Sequence, residues 1–254
     1  MLLAEATALP LNELAIVAAV LLISTLVRST FGFGDALISM PLLAMSVGLP
    51  VARPLVSLGA ILSAVFILAS SWRDVDWRSS LRLLPAAAVG IPVGFLALEW
   101  LPSAGLKVGL GALLMLYSTR ELWFGELPEL ANDRHAWPFS LASGIFAGAF
   151  NIAGPPVVIY GHLRRWSPET FRATLISFFF PITIMVSTLH ALGGSTTVLV
   201  LDTFVKVAPA IFAGYAIGSY FNRRFAPERF RVWVNALIAV LGFFMVFKVF
   251  YGGG

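Results

Sequence analysis

The sequence predicts an all-α polytopic membrane protein made of two inverted-topology repeats, each a broken or re-entrant helical hairpin followed by three transmembrane helices. Three observations lead there. Of 254 residues, 59% are hydrophobic and only 12% charged, about half the charged share of a soluble globular chain. Apolar stretches recur at residues 54–70, 83–98, 108–116, 171–192 and 232–247, several of them near the ~20 residues a helix needs to cross ~30 Å of hydrocarbon. One spacing of proline and glycine occurs twice. None of the segments alternates in the ~10-residue pattern of a membrane barrel, so the spans read as helices.

Taken in order, residues 1–10 contain Glu5 and no basic residue, so they lack the positive region of a secretory signal and read as mature chain. Residues 1–124 form the first repeat, broken near 31–35, 48–51, 72–80 and 100–105. Residues 125–137, polar and acidic, form the connecting loop. Residues 138–254 form the second repeat, broken near 151–156, 164–168, 193–201 and 222–227. Trp72, Trp77, Trp100, Trp123, Trp137 and Trp166 fall near predicted helix ends, where an interfacial aromatic belt places them.

The duplication is visible in particular residues. Pro85, Gly90 and Gly94 recur as Pro209, Gly214 and Gly218, 124 positions on; Leu106-Lys107-Val108 falls on Phe230-Arg231-Val232 at the same offset. Upstream the offset is 119, pairing Phe31 with Phe150, Gly34 with Ala153, and Arg53 with Arg172. A loop-length difference of five residues accounts for the change.

Charge sets the relative orientation of the halves. Arg73, Arg78 and Arg82 cluster where the second half has only Lys206; Arg164, Arg165 and Arg172 cluster where the first has only Arg53; Arg223, Arg224, Arg229 and Arg231 cluster where it has only Lys107. Placing the three Arg-rich loops in the cytoplasm puts ten Lys or Arg there against three opposite, as the positive-inside rule requires. The second half must then insert upside down, with both chain ends outside the cytoplasm. The net charge of +4 is scattered between apolar segments, which excludes a nucleic-acid surface. The absence of cysteine excludes disulfides, thiol chemistry and Cys-ligated metals; neither a metal nor a cofactor is expected.

Inverted repeats point to a secondary transporter, with the substrate held where short, Gly/Pro-interrupted helices occupy matching places in the two halves. Here those places are Arg28, Ser29, Thr30, Phe31, Gly32, Phe33 and Gly34 in the first half, and Asn151, Gly154 and Pro155 in the second. Pro155 and Pro156 suit a first helical turn, and the amides of such a turn favour an anion. Gly32 and Gly34 let backbone approach a ligand, Asp35 is positioned to cap the following helix, and Arg28, Ser29, Thr30 and Asn151 add donors. Arg53 and Arg172 start the helices after each hairpin, where a deep arginine needs a partner or ligand and a shallow one snorkels.

The phrases FGFGDALISMPLLAMSVGLP and FAGAFNIAGPPVVIY, with the repeated Pro/Gly spacing downstream, resemble the two halves of the TauE/SafE sulfite exporter family, the toluene sulfonate uptake permeases. The resemblance runs from about Leu14 to Phe250. It implies a multi-pass carrier of a bacterial inner membrane for sulfite, organosulfonates or related sulfur oxyanions. Family members often carry a run of glycines where this chain has Asp35 and Gly154-Pro155-Pro156.

A coupling proton or ion is a further partner of such a carrier, and His190 and His162 are candidates because histidine titrates near physiological pH; each also reads as a helix-end residue. An anion channel shares every site feature. An intramembrane serine protease is a rival of another class: Ser143-Gly144 with Gly148, and His190 with Gly193, faintly resemble the serine and histidine segments of rhomboid proteases. A small-residue packing face explains Gly144 and Gly148 equally well.

Overall fold

A computed structural model describes residues 8–100, 103–123, 129–130, 135–224, 236, 238–244 and 246–247. The described residues form helices and connecting turns, with no strand. In chain order the helices are α1 (Leu11–Phe31), α2 (Asp35–Ser46), α3 (Leu49–Ser71), α4 (Trp77–Trp100), α5 (Ser103–Trp123), α6 (Ala136–Phe150), α7 (Gly154–Leu163), α8 (Pro168–Leu192) and α9 (Val198–Arg224). Residues 238–244 are helical again.

Among the described residues, five helices are long and apolar enough to cross a membrane: those over Leu11–Phe31, Leu49–Asp74, Trp77–Ala97, Pro168–Leu192 and Val198–Asn222. The chain is a multi-pass membrane protein. Trp72, Trp77 and Trp137 stand exposed at helix ends. By contrast α2 and α7, of 12 and 10 residues, rise only about 15 to 18 Å at ~1.5 Å per residue. Each stops short of a full crossing.

Local chemistry sets the breaks. α1 ends because Gly32 turns left-handed (φ 89°) and returns its N–H to the Arg28 carbonyl. Gly34 (φ 99°) then redirects the chain into α2. A Cβ on Gly32 would lie 2.8 Å from the Arg172 Cα, so that turn needs glycine for space as well as for conformation. In the second half Asn151 takes the left-handed position (φ 59°) and donates its N–H to Ala147, a role that asparagine tolerates better than other side-chain-bearing residues. Ser167 caps α8 by accepting from the Thr170 amide, with Pro168 in the first turn.

The most intimate packing joins one half to the other. A Cβ on Gly214 would overlap the Leu22 carbonyl oxygen, and one on Gly218 that of Leu26, so α9 meets α1 backbone to backbone. The same happens between α4 and α6: Gly90 faces the Leu141 carbonyl and Gly94 that of Ile145. Small residues let membrane helices approach this closely. From the other side, Gly144 and Gly148 of α6 press on the carbonyls of Ala87 and Ile91. α1 and α6 are therefore each packed against a helix that is not their neighbour in the chain.

α3 and α8 lie side by side in opposite directions. At one end the Asn151 amide joins the Arg53 carbonyl of α3, and His190 of α8 stands beside it. At the other, the Asp76 amide, just past α3, donates to Thr174 of α8 at 2.9 Å, and Ser177 donates to Ser80 at 2.9 Å.

Several expectations shift in detail. Arg78 and Arg82 belong to α4 rather than to a loop. Asp202 and Lys206 belong to α9, where they pair at 2.7 Å one turn apart. α6 opens at Ala136, inside the expected connecting loop, most of which lies outside the described residues, as do Arg229, Arg231 and the 230–232 match.

Candidate functional site

Both helix breaks open onto one cavity of about 40 Å³. A water needs roughly 10–15 Å³ by this measure, so the space suits about three waters or one small anion. Its walls are Arg28 of α1, Phe33 and Gly34 of the first break, and Asp35, Ala36 and Leu37 of the first turn of α2. Opposite stand Asn151, Ile152 and Ala153 of the second break and Gly154 at the start of α7. Val56, Ser57 and Ala60 of α3 and Phe179, Ile182, Thr183 and Val186 of α8 close the sides. The tips touch: a Cβ on Gly154 would sit 3.8 Å from the Phe33 ring.

Electrostatically, two helix N-termini flank this space, each carrying roughly half a positive charge and amides without intrahelical partners. In α7, Pro155 and Pro156 remove two of those amides, leaving Ala153 and Gly154 as the backbone donors of its first turn. In α2 the full set remains. Asp35, expected as a cap, makes no capping bond; it is the first residue of the helix, past the capping position, and its carboxylate accepts from Arg28 Nη1.

Arg28 is the residue on which the site turns. It is 3% exposed, Asp35 holds its Nη1, and its Nε and Nη2 are buried with no hydrogen-bond partner. A buried guanidinium with two unsatisfied donors is costly unless something polar comes to it.

The other predicted site residues separate into two groups. Phe33, Gly34, Asn151 and Gly154 line the cavity with Arg28, whereas Ser29, Thr30, Phe31, Gly32, Pro155, Arg53 and Arg172 do not. Thr30 donates to the Leu26 carbonyl at 2.8 Å, and Ser29 is fully buried with an unpartnered hydroxyl. Arg172 clamps the first tip from behind, its Nε donating to the Ser29 carbonyl at 2.8 Å. Asn151 performs the matching task at the second tip: its amide donates to the Arg53 carbonyl at 2.5 Å, and its Oδ1 lies 3.4 Å from His190 Nε2. His190 is thus buried at 2% exposure rather than at a wetted helix end. Ser57 and Thr183, not anticipated as wall residues, are hydroxyls in apolar helices whose donors return to their own helix. Nothing in their sequence context distinguishes them from ordinary membrane-helix residues.

Comparison with known proteins completes the picture. The family model for the sulfite exporter TauE/SafE matches residues 16–245. The chain belongs to the TauE/SafE family. A curated relative, the probable sulfite/organosulfonate exporter TauE of Cupriavidus necator, is 28% identical over 218 residues, covering 80% of each chain. No solved structure matches. TauE/SafE proteins are transporters, so this chain is not an enzyme and the protease reading falls. Its residues agree: the Ser143 hydroxyl donates to the Ala153 carbonyl, bracing the second break, and His190 faces Asn151.

Proposed function

We propose that this TauE/SafE member is a secondary carrier for a small sulfur-containing anion, sulfite or an organosulfonate, in a bacterial inner membrane. The anion binds between the two helix breaks, near the bilayer midplane, and alternating access moves it across. The observation that carries this reading is the buried Arg28 edge, two unsatisfied donors in a cavity flanked by two helix N-termini. The name of the Cupriavidus necator relative supports the substrate class.

The inverted-repeat reading, with repeats at 1–124 and 138–254, draws support from equivalent contacts. Leu22 and Leu26 meet Gly214 and Gly218 as Leu141 and Ile145 meet Gly90 and Gly94, and these residues correspond at the 119 and 124 offsets. α3 and α8, equivalent at 119, are antiparallel neighbours. Alternating access then exchanges the two halves between equivalent conformations.

Transport in proteoliposomes tests the carrier. Uptake of labelled methanesulfonate should saturate and should accelerate when unlabelled methanesulfonate is loaded inside; unsaturable flux without that acceleration would identify a channel. Binding is read separately. A ligand specific to the folded state stabilises by about 2.7 kcal/mol at a hundredfold excess over Kd, so sulfite or methanesulfonate should raise the melting temperature where a plain carboxylate such as acetate does not.

Topology gives a second test. The cysteine-free chain accepts single cysteines at Arg73, Glu169 and Asn222, all exposed. An impermeant thiol reagent added to intact cells should miss all three and label a cysteine at Ser195. Labelling at Arg73 but not at Glu169 would put the two loops on opposite sides and end the inverted arrangement.

A further inference from the structure

We infer that Asp35 is a valence filter, making the site accept monovalent oxyanions such as sulfonates and hydrogen sulfite in preference to dianions. The inference rests on the proposed anion site and assigns to Asp35 a role other than the capping its position suggests.

A guanidinium has two edges that can grip an oxyanion. In Arg28 the Nη1 corner is tied to the Asp35 carboxylate, while Nε and Nη2, which share the side edge, have no partner. That edge presents two parallel N–H groups, the arrangement that binds two oxygens of a sulfonate or sulfite group at once. Asp35 therefore fixes the fork and leaves its productive edge free. It also cancels the arginine's charge. With the pair summing to zero, what remains at the cavity wall is the positive end of two helices, about one charge between them. A monoanion is matched by that field. A dianion is not: attraction grows only in proportion to its charge while the cost of leaving water grows with the square of it, and the Asp35 carboxylate repels it twice as strongly.

The other charged or titratable groups on the elements around Asp35 do not undo the argument. α2 carries no other. On α1, α3 and α8, Glu13, Arg53, Glu169, Arg172 and His190 lie outside the cavity lining, and Arg172 Nε is turned to the Ser29 carbonyl. α5, which touches α2, contributes Tyr117, edge-on to Phe33. Whatever potential these groups supply acts on every anion in proportion to its charge and is unchanged when Asp35 alone is altered.

Methanesulfonate and sulfate are the probes, because each keeps a fixed charge near neutral pH whereas sulfite titrates there. The parent protein should bind methanesulfonate at least about tenfold more tightly than sulfate. Asp35→Asn removes the charge but keeps an oxygen to accept from Arg28 Nη1, so the fork stays in place. It should shift the ratio of the two affinities towards sulfate by about tenfold or more. A purely structural ion pair would weaken both anions together, leaving the ratio fixed, and that result overturns the filter. So does equal affinity of the parent protein for the two anions, a measurement that needs no variant. If the ratio stays fixed in Asp35→Asn while Arg28→Lys weakens both anions, the site stands and only the filter falls. If Arg28→Lys binds both as the parent does, the site itself lies elsewhere.

Discussion

Arg28→Lys is expected to raise the Kd for methanesulfonate about ten- to a hundredfold. Lysine keeps the charge but offers a single ammonium on a flexible stem, which cannot hold Asp35 and also present two parallel donors to an oxyanion. A hydrogen bond to a charged group contributes roughly 1.5–3 kcal/mol, and each 1.4 kcal/mol is tenfold in affinity. Because the charge next to Asp35 is retained, folding should survive, which would not hold for Arg28→Ala, where the carboxylate of a partly buried pair is left alone. Calorimetric titration of the purified variant reads the effect. Asp202→Asn, which removes an exposed pair on α9, should leave binding unchanged. An unaltered Kd in Arg28→Lys would move attention to Arg53 and Arg172.

The second large effect concerns stability. Gly94→Val and Gly218→Val should each lower stability by about 1–3 kcal/mol or more, the usual cost of forcing volume into a packed contact. The reason is geometric: the first Cβ would overlap the Ile145 carbonyl oxygen and the second that of Leu26. Neither obstacle is a side chain that can swing away; both are helix backbone. Gly59→Ala is the control, since its Cβ would make only ordinary contacts with side-chain ends, the Ile211 Cδ1 at 3.4 Å and the Leu21 Cδ2 at 3.8 Å. Thermal melts in detergent compare the three. Losses of similar size at Gly94 and Gly218 are expected if the two seams are equivalent; a neutral Gly94→Val beside a damaging Gly218→Val would contradict that.

The helices and their breaks were largely legible, because apolar length, proline and glycine act locally. Pro155 and Pro156 open a helix and Gly32 closes one wherever they occur. The repeated Pro85/Gly90/Gly94 spacing also announced something real about contact, since these glycines and their counterparts are where helices press closest. What the chain did not reveal was which helix they press on. A small-residue face says that a partner comes near, not which partner, so the pairing of α1 with α9 and of α6 with α4 stayed hidden. The Arg28–Asp35 pair was missed for a related reason: seven residues apart, they meet only because two left-handed glycines reverse the chain between them. Asn151 looked like a free donor, yet its left-handed backbone aims the amide at Arg53 and His190.

The pairing of α1 with α9 and of α4 with α6 also bears on how the protein is made. α6 follows α4 with α5 between them, so its seam can close soon after those three helices are made. α1 is different: Leu22 and Leu26 meet residues about 190 positions later, at Gly214 and Gly218. At roughly 5–20 residues per second of synthesis, α1 waits about 10 to 40 s for its partner. During that interval its glycine-receptive face and the guanidinium of Arg28 have neither α9 nor the completed site around them. α1 is not at home until chain about 190 positions downstream has been made, which leaves this span dependent on lipid or an insertase for shelter in the meantime.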